Sequence, residues 1–442
     1  MTRDLERYGV ASLGECTIAS PLGLSGGSGA RSRYVPDRTR VLDQVELAPG
    51  ASVDEARALE KAGPRERIYF DPERARAGIV TSGGLCPGVN NVIRSMVFEL
   101  VHGYGIAEVL GFRFGFAGLD PASGGEEPIV LGLDEVRVAH RFGGTMLGTS
   151  RGAHEPAVMV DTLVARGVDV LFAIGGGGTM AGAHAIAREI ARRGARIGVI
   201  GVPKTIDNDI AYVDKTFGFE TAIAMARIAV DAAHTEALSV RGGVGLVKLM
   251  GRDAGFIAAH AAMASHDVNV CLVPEVPFRL DGPTGLLRYL ERRLGERGHA
   301  VIVVGEGCGV ELLGASGAGA PRDASGNLSF QASELDIGLH LQREIARHFE
   351  ARGQPITIKY IDPSYMLRGV PAGAVDAEFS ADLARHAVHA AMAGKTDMMI
   401  GRLHRVFTHV PLALVLSEAK RIDPEGELWL AVTEATGQPS FA

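Results

Sequence analysis

The sequence predicts an α/β protein whose strands lie in parallel sheets covered by helices on both faces. Three observations carry that prediction. Short apolar runs end in glycines and lead into segments of helical spacing, and this unit recurs along the chain. The runs do not alternate with polar residues, as strands wetted on one face would. The length, 442 residues, suits two domains plus an appendage, and 46% apolar with 22% charged residues is an ordinary globular balance.

Taken in order, residues 1–75 have weak periodicity and include LGLSGGSGARSR (22–33), whose glycines and serines disfavour a fixed backbone. They read as an extension wrapped on the main body. From Ala77, AGIVTSGG predicts a strand and glycine turn, and NVIRSMVFELVHGYG (91–105) a helix stopped at Gly105. VDVLFAIGGGG then leads into TMAGAHAIAREIARRG (179–194), where arginines crowd the last turn before a capping Gly194. RIGVIGVPKTIDNDI (196–210) is a strand running into a polar loop, and GVGLVKLMGRDAGFIAAHAAMA (243–264) repeats strand, turn and helix. AVIVVGEGCG (300–309) is a further strand, followed by a Gly-, Ser- and Ala-rich stretch to about Leu328 that reads as a mobile surface loop. In sheets of this kind ligands collect at the carboxyl ends of the strands.

Composition narrows the function classes. The 45 basic against 52 acidic residues give a formal charge of -7, without the basic surplus that serves nucleic acid. Cys16, Cys86, Cys271 and Cys308 are far apart and show neither zinc spacing nor a disulfide framework. The opening MTRDLERYGV lacks the apolar stretch of a secretory signal, and no segment approaches the roughly 18 uninterrupted apolar residues that span a bilayer. The expectation is a cytoplasmic protein with neither nucleic acid nor membrane as partner.

Glycine-rich turns that open a helix bring unshielded N–H groups and the positive end of a dipole towards one point, which describes a phosphate site. Two occur, at 82–90 and 175–179; the competing reading is that glycine merely permits helix to pack on strand. Residues 176–181, GGGTMA, also fit the dinucleotide fingerprint G-x-G-x-x-A, but the next strand ends in GVPK instead of the acid that would grip a ribose. The strongest local signal is PKTIDNDI (203–210). Phosphoryl transfer needs a group to accept an alcohol's proton, a divalent cation to bridge phosphates, and cations to neutralise the migrating charge. Asp207 and Asp209 can supply the first two, and Lys204, Arg151 and Arg252 the third; a solvated Asx turn is the plain alternative.

The stretches GIVTSGGLCPGVNNVIRSMV, GGTMLGTSRG, PKTIDNDI, KLMGRDAGFIA, VPEVPF, GEG and IKYIDPSYMLRG occur in one order. With them the chain resembles the 6-phosphofructokinases over residues 77–435, and within that family the longer clade of plants, trypanosomatids and some bacteria. The resemblance implies two Rossmann-like three-layer αβα lobes with mostly parallel sheets, plus the N-terminal extension. It places a nucleotide-binding lobe at 76–218, completed by about 368–420, and a sugar-phosphate lobe at 219–367, completed by 421–442. It implies ATP-dependent phosphorylation of fructose 6-phosphate at its 1-hydroxyl, with Mg2+ as cofactor, in a homotetramer or homodimer. Asp207 would be the general base, with Thr205 and Arg252 completing the catalytic set. Thr205, Ile206, Asp207, Met250, Gly251, Arg252, Glu306, Tyr365, Met366, Leu367 and Arg368 would bind the sugar phosphate. Gly83, Gly84, Arg151, Gly152, Gly176, Gly177, Gly178 and Thr179 would surround ATP, and Asp209 would help place the magnesium.

The chain departs from that family at informative positions. ATP-using members carry G-G-D-G-T in the first-lobe loop, and its aspartate helps anchor magnesium; here the position is Gly177. The next position separates donors, because an aspartate there crowds the ATP α-phosphate, so Gly178 points to ATP. Lys204 is shared by many pyrophosphate users and by ATP users of the long clade. Alternatives are therefore a pyrophosphate-dependent enzyme, a kinase of a related sugar phosphate such as sedoheptulose 7-phosphate, and a catalytically reduced sensor of sugar phosphate or nucleotide. Short-clade enzymes borrow an arginine from a neighbouring subunit at the position of Gly243, and Arg241 stands two residues earlier. Glu275 is read as structural, and His184, His234 and His260 as helix-face residues without a role.

Overall fold

The computed structural model describes residues 7–26, 32–50, 52–123, 126–314 and 336–441. Much of the glycine-rich stretch after residue 309, and part of the segment 22–33, lie outside the described residues. Packing divides the chain into two compact units. The first is Met1–Thr205, Ile210–Gly218 and Gly369–Ala419; the second is Ile206–Asp209, Phe219–Arg368 and Lys420–Ala442.

A nine-stranded and a four-stranded sheet are built from β1 (Arg40–Leu42), β2 (Ala58–Lys61), β3 (Arg76–Thr81), β4 (Glu108–Phe112), β5 (Ile129–Val130), β6 (Val170–Gly175), β7 (Gly198–Pro203), β8 (Gly243–Leu249), β9 (Val270–Leu272), β10 (His299–Gly305), β11 (Thr357–Ile361), β12 (Met398–Leu403) and β13 (Val406–Pro411). In the first unit the order is β1-β2-β13-β12-β7-β6-β3-β4-β5. The five strands from β12 to β4 run parallel, and the edges are antiparallel. Every residue of VLFAIG and GVIGVP is buried, which is why these runs are apolar throughout. Gly105 and Gly194 end their helices with φ of 76° and 66°, the left-handed caps that their spacing predicts.

The strand order places the ligand loops. From β3 the chain moves outward to β4; from β6, on the other side of β3, it moves the opposite way to β7. This reversal brings the ends of β3 and β6 together, with Thr81 opposite Ile174. Loops leaving such a point diverge, and open a crevice where α/β sheets receive ligands. In the second unit the order is β9-β10-β8-β11, all parallel, with Leu249 opposite Gly305 and Val247 opposite Ile361. The segments that follow β8, β10 and β11 therefore emerge along one edge.

The N-terminal region contributes strands to the first sheet, which its weak periodicity did not announce. β2 reads ALEK, and its Glu60 is buried opposite His409 of β13. Glu60 meets Arg65 at 2.9 Å, Lys395 at 3.0 Å and His409 at 3.1 Å. Burial alone would raise the Glu60 pKa, but His409 and Lys395 outweigh it and hold the carboxyl below its ordinary range. A depressed carboxylate stabilises the fold above its unfolded-state value, 4.5, and loses that contribution as pH falls through the folded value. Glu60→Leu leaves buried cations without their carboxylate, so we expect a loss of about 3–5 kcal/mol. Chemical denaturation followed by circular dichroism checks this, and an unchanged midpoint would remove the network from the stability of this unit.

Candidate active site

Two glycine loops leave adjacent strands of the first unit. After β3, Gly83 takes φ 86°, in the left-handed region that glycine enters without steric cost. Its N–H donates to Ser150 O (3.1 Å) and its carbonyl accepts from Thr149 Oγ1 (2.6 Å). Thr81 Oγ1 donates to Gly148 O (2.6 Å), and Ser82 Oγ donates to Ser150 O (3.2 Å). These bonds stitch residues 148–150 to residues 81–83. Arg151 and Gly152 follow at once, both exposed.

After β6, Gly176 precedes the helix Gly177–Arg193. A Cβ on Gly177 or Gly178 would meet nothing within 4 Å, and neither residue has a positive φ. The fold itself therefore does not require glycine at these two positions. What glycine leaves there is open space before a helix N-terminus, where N–H groups and the dipole favour an anion. Thr179 is buried in the same turn. Lys204, at the exit of β7, is also buried; its N–H donates to Gly175 O (2.9 Å) and its ammonium donates to Gly84 O.

The PKTIDNDI segment is divided between the units. Lys204 and Thr205 belong to the first, where the Thr205 carbonyl accepts from Thr216 Oγ1 (2.6 Å). Ile206–Asp209 belongs to the second. Asn208 takes φ 56°, which asparagine tolerates better than most residues, and its Oδ1 accepts from Lys420 Nζ (3.3 Å). The Lys420 N–H donates to Asp209 O (3.0 Å), so the chain on either side of the turn is pinned.

Five charged groups of the second unit act on one another here. The Asp207 pKa is pushed up to about 8, first by burial and then by the negative charges of Asp209 and Glu306, while Arg252 and Arg368 pull it down. Glu306 is raised too, by burial, against the pull of Arg252, Lys248 and Arg368. A carboxyl so placed is a stronger base than an ordinary aspartate, and it faces two fixed guanidinium charges.

Backbone contact holds these groups together. The Glu306 N–H donates to Leu249 O (2.8 Å) and the Gly307 N–H to Gly251 O (3.3 Å). A Cβ on Gly307 would lie 1.6 Å from Arg252 O, and one on Gly251, at φ 131°, would lie 2.6 Å from Ala254 O. Glycine at 307 is thus demanded by the close approach of the two turns, and glycine at 251 by its positive φ and the tightness of its own turn. The Arg368 guanidinium lies 5.4 Å from the centroid of the Tyr365 ring, while Tyr365 and Met366 are exposed and Leu367 is buried. Glu275 accepts from Gly255 N–H (3.0 Å) and Ile422 N–H (3.0 Å), fixing the turn after Arg252.

Sequence reasoning passed over a supporting group. Buried Lys248, one residue before Leu249 in an apolar run, pairs with Asp336 (2.6 Å) and Asp362 (2.9 Å). Asp362 in turn accepts from Ser364 N–H (3.1 Å), which shapes the turn before Tyr365. A lysine inside a strand that is otherwise buried was the available signal, since such a charge needs partners. His184 and His234 pair with Asp397 (2.7 Å) and Asp267 (3.1 Å), and His260 packs edge-on to Phe219.

Magnesium fits these residues in one manner. No group of three His, Cys, Asp or Glu side chains suited to a metal occurs among the described residues. Asp207 and Asp209, both of the second unit, lie within electrostatic reach of each other, and such a pair suits an ion that keeps several waters. No helix among the described residues is long and apolar enough to cross a membrane.

Comparison with known proteins shows the family of the chain. A family profile described as phosphofructokinase matches residues 76–391. An ATP-dependent 6-phosphofructokinase of Borreliella burgdorferi is 44% identical over 98% of this chain and 97% of its own length. One of Amycolatopsis methanolica is 46% identical over 100% and 96%, and one of Trypanosoma cruzi 46% identical over 85% and 76%. Among solved structures, a pyrophosphate-dependent phosphofructokinase of Marinobacter aquaeolei superposes with TM-score 0.65 at 22% identity, over 83% of this chain and 92% of that one. That likeness establishes the fold. The sheets and these relatives define the class, an α/β phosphotransferase. The chain belongs to the phosphofructokinase family.

Proposed function

We propose that the protein transfers the γ-phosphoryl group of ATP to the 1-hydroxyl of D-fructose 6-phosphate, giving fructose 1,6-bisphosphate. The observation that carries this reading is the Asp207 carboxyl, made strongly basic by burial and by Asp209 and Glu306, and flanked by Arg252 and Arg368. Asp207 accepts the proton of the attacking hydroxyl, and Arg252 with Thr205 steadies the charge of the group in transfer. Glu306 holds sugar hydroxyls, Ile206 and Met250–Arg252 line the sugar site, and Tyr365–Arg368 receives the 6-phosphate, where an arginine presents a planar donor fork. Gly83, Gly84, Arg151, Gly152 and the amides of Gly176–Thr179 receive ATP. Asp209 is the side chain that would help place magnesium, which would supply positive charge to the nucleotide phosphates. The family's association into homotetramers or homodimers and a cytoplasmic location belong to the same reading; a monomer in light scattering would count against the first.

The primary test is a coupled assay with fructose 6-phosphate, comparing ATP with pyrophosphate, with and without magnesium. Turnover with pyrophosphate alone would replace ATP as donor, and binding without turnover would favour the sensor reading that Gly177 suggests. Asp207→Asn is expected to lower kcat by about 10²–10⁴-fold with little change in KM. Because Asp207 cannot accept a proton while it carries one, kcat/KM should rise with pH along a limb near about 8, and the Asn variant should lack that limb. At the donor loop both substitutions have room. Gly178→Asp should fold normally yet raise the KM for ATP at least about tenfold, a charge penalty of ~1.4 kcal/mol. Gly177→Asp should tighten magnesium dependence. Identical magnesium titrations for it and the parent would dissociate Gly177 from the metal.

A further inference from the structure

Arg151 sits on a short exposed span between two anchors. One is Ser150, held by Gly83 and Ser82. The other is His154, which lies just before the helix Pro156–Ala165 and is only partly exposed. His154 Nδ1 lies 3.0 Å from Asp120 Oδ2 and 3.3 Å from Ser123 Oγ, and Ser123 Oγ donates to Asp120 Oδ2 (2.7 Å). An ionised carboxylate only accepts, so His154 carries its proton on Nδ1 and donates it to Asp120. Asp120 is itself fixed, because Oδ1 accepts from Ala122 N–H (3.0 Å).

Serine, histidine and aspartate together invite comparison with a hydrolase triad, and the geometry rules that out. In a triad the carboxylate and the hydroxyl use opposite nitrogens of the ring. Here both approach Nδ1, and the serine spends its proton on the carboxylate. The cluster is a clamp. Its hydrogen bonds from Ser123 and His154 hold the Asp120 carboxyl below its usual range, as expected of an acceptor used in its ionised form.

We infer that His154, through Asp120 and Ser123, is a positioning residue for nucleotide binding: it anchors the far end of the span that presents Arg151 and Gly152. Gly152 has φ 121°, and a Cβ there would meet nothing within 4 Å, so no packing beside Gly152 holds the span and the anchor at His154 contributes to its shape. Freeing one end adds backbone conformations that ATP must then suppress on binding. This inference rests on the reading of Arg151 as an ATP contact. It adds the residues that aim it, none of which belongs to the motifs that suggested the function.

The experiment uses the full-length protein and measures equilibrium binding of ATP alongside the KM for ATP and for fructose 6-phosphate. In His154→Ala we expect the dissociation constant and KM for ATP to rise about tenfold, the amount set by ordering the backbone of about one freed residue, with KM for fructose 6-phosphate and kcat within about twofold. His154→Asn places an amide N–H close to the position of Nδ1 and should recover most of the affinity. Ser123→Ala should give a smaller loss, and melting temperature checks that each variant folds. Parent-like ATP affinity in His154→Ala overturns the inference, as does an Asn variant no better than Ala or an equal rise in both KM values. A parent protein that binds no ATP overturns the functional reading together with this one, whereas a binding parent with indifferent variants overturns this one alone.

Discussion

The Asp207 carboxyl is held where water cannot stabilise its charge, with two more acids and two arginines within electrostatic reach. Burial and like charge both favour the protonated form, and the guanidinium groups of Arg252 and Arg368 limit how far that goes. Much of the second unit can be understood as the means of keeping these groups together. Glu306 and Arg252 leave neighbouring parallel strands, and their turns approach until only glycine fits at 307, while Gly251 gives the Arg252 turn its positive φ. Glu275 ties down the turn after Arg252, and the Lys248 network ties down the turn before Tyr365. A buried lysine between two carboxylates adds little net stability, because desolvation offsets attraction, but it holds geometry well.

The first unit solves a different problem with similar means. Its glycine loops carry no carboxylate, lysine or arginine, so it offers amide hydrogens and a helix terminus, and closely bonded hydroxyls hold the first of those loops. Thr81, Ser82 and Thr149 bind backbone carbonyls between residues 81–83 and residues 148–150. Glycine serves two separate ends there. At Gly83 the backbone conformation requires it; at Gly177 and Gly178 the protein does not, and the emptiness itself is what a phosphate can use. The same distinction explains how a loop aspartate could be absent at Gly177 without disturbing the fold.

Much was legible in the sequence. Uninterrupted apolar runs gave parallel strands, because a strand covered on both faces has no wet side to mark with polar residues. Helix stops at Gly105 and Gly194 could be read because left-handed caps favour glycine. The glycine loops could be placed at strand ends, since the chain order of strand, turn and helix leaves no other place for them. Less legible were β1 and β2, whose few residues include a buried glutamate and carry no period. Asp120, His154 and Ser123 form no motif, and neither do Lys248, Asp336 and Asp362, because each group is assembled across long breaks in the chain, where only folding makes neighbours.

By itself, then, the sequence determined the kinds of element, their order, and the residue types able to bind phosphate and move a proton, since these follow from local periodicity and side-chain chemistry. Tertiary structure alone decided which charges act on Asp207 and therefore how basic it is. It also divided PKTIDNDI, sending Lys204 and Thr205 to one unit and Ile206–Asp209 to the other. Both outcomes depend on distance and burial, and neither quantity is written in the order of residues along a chain.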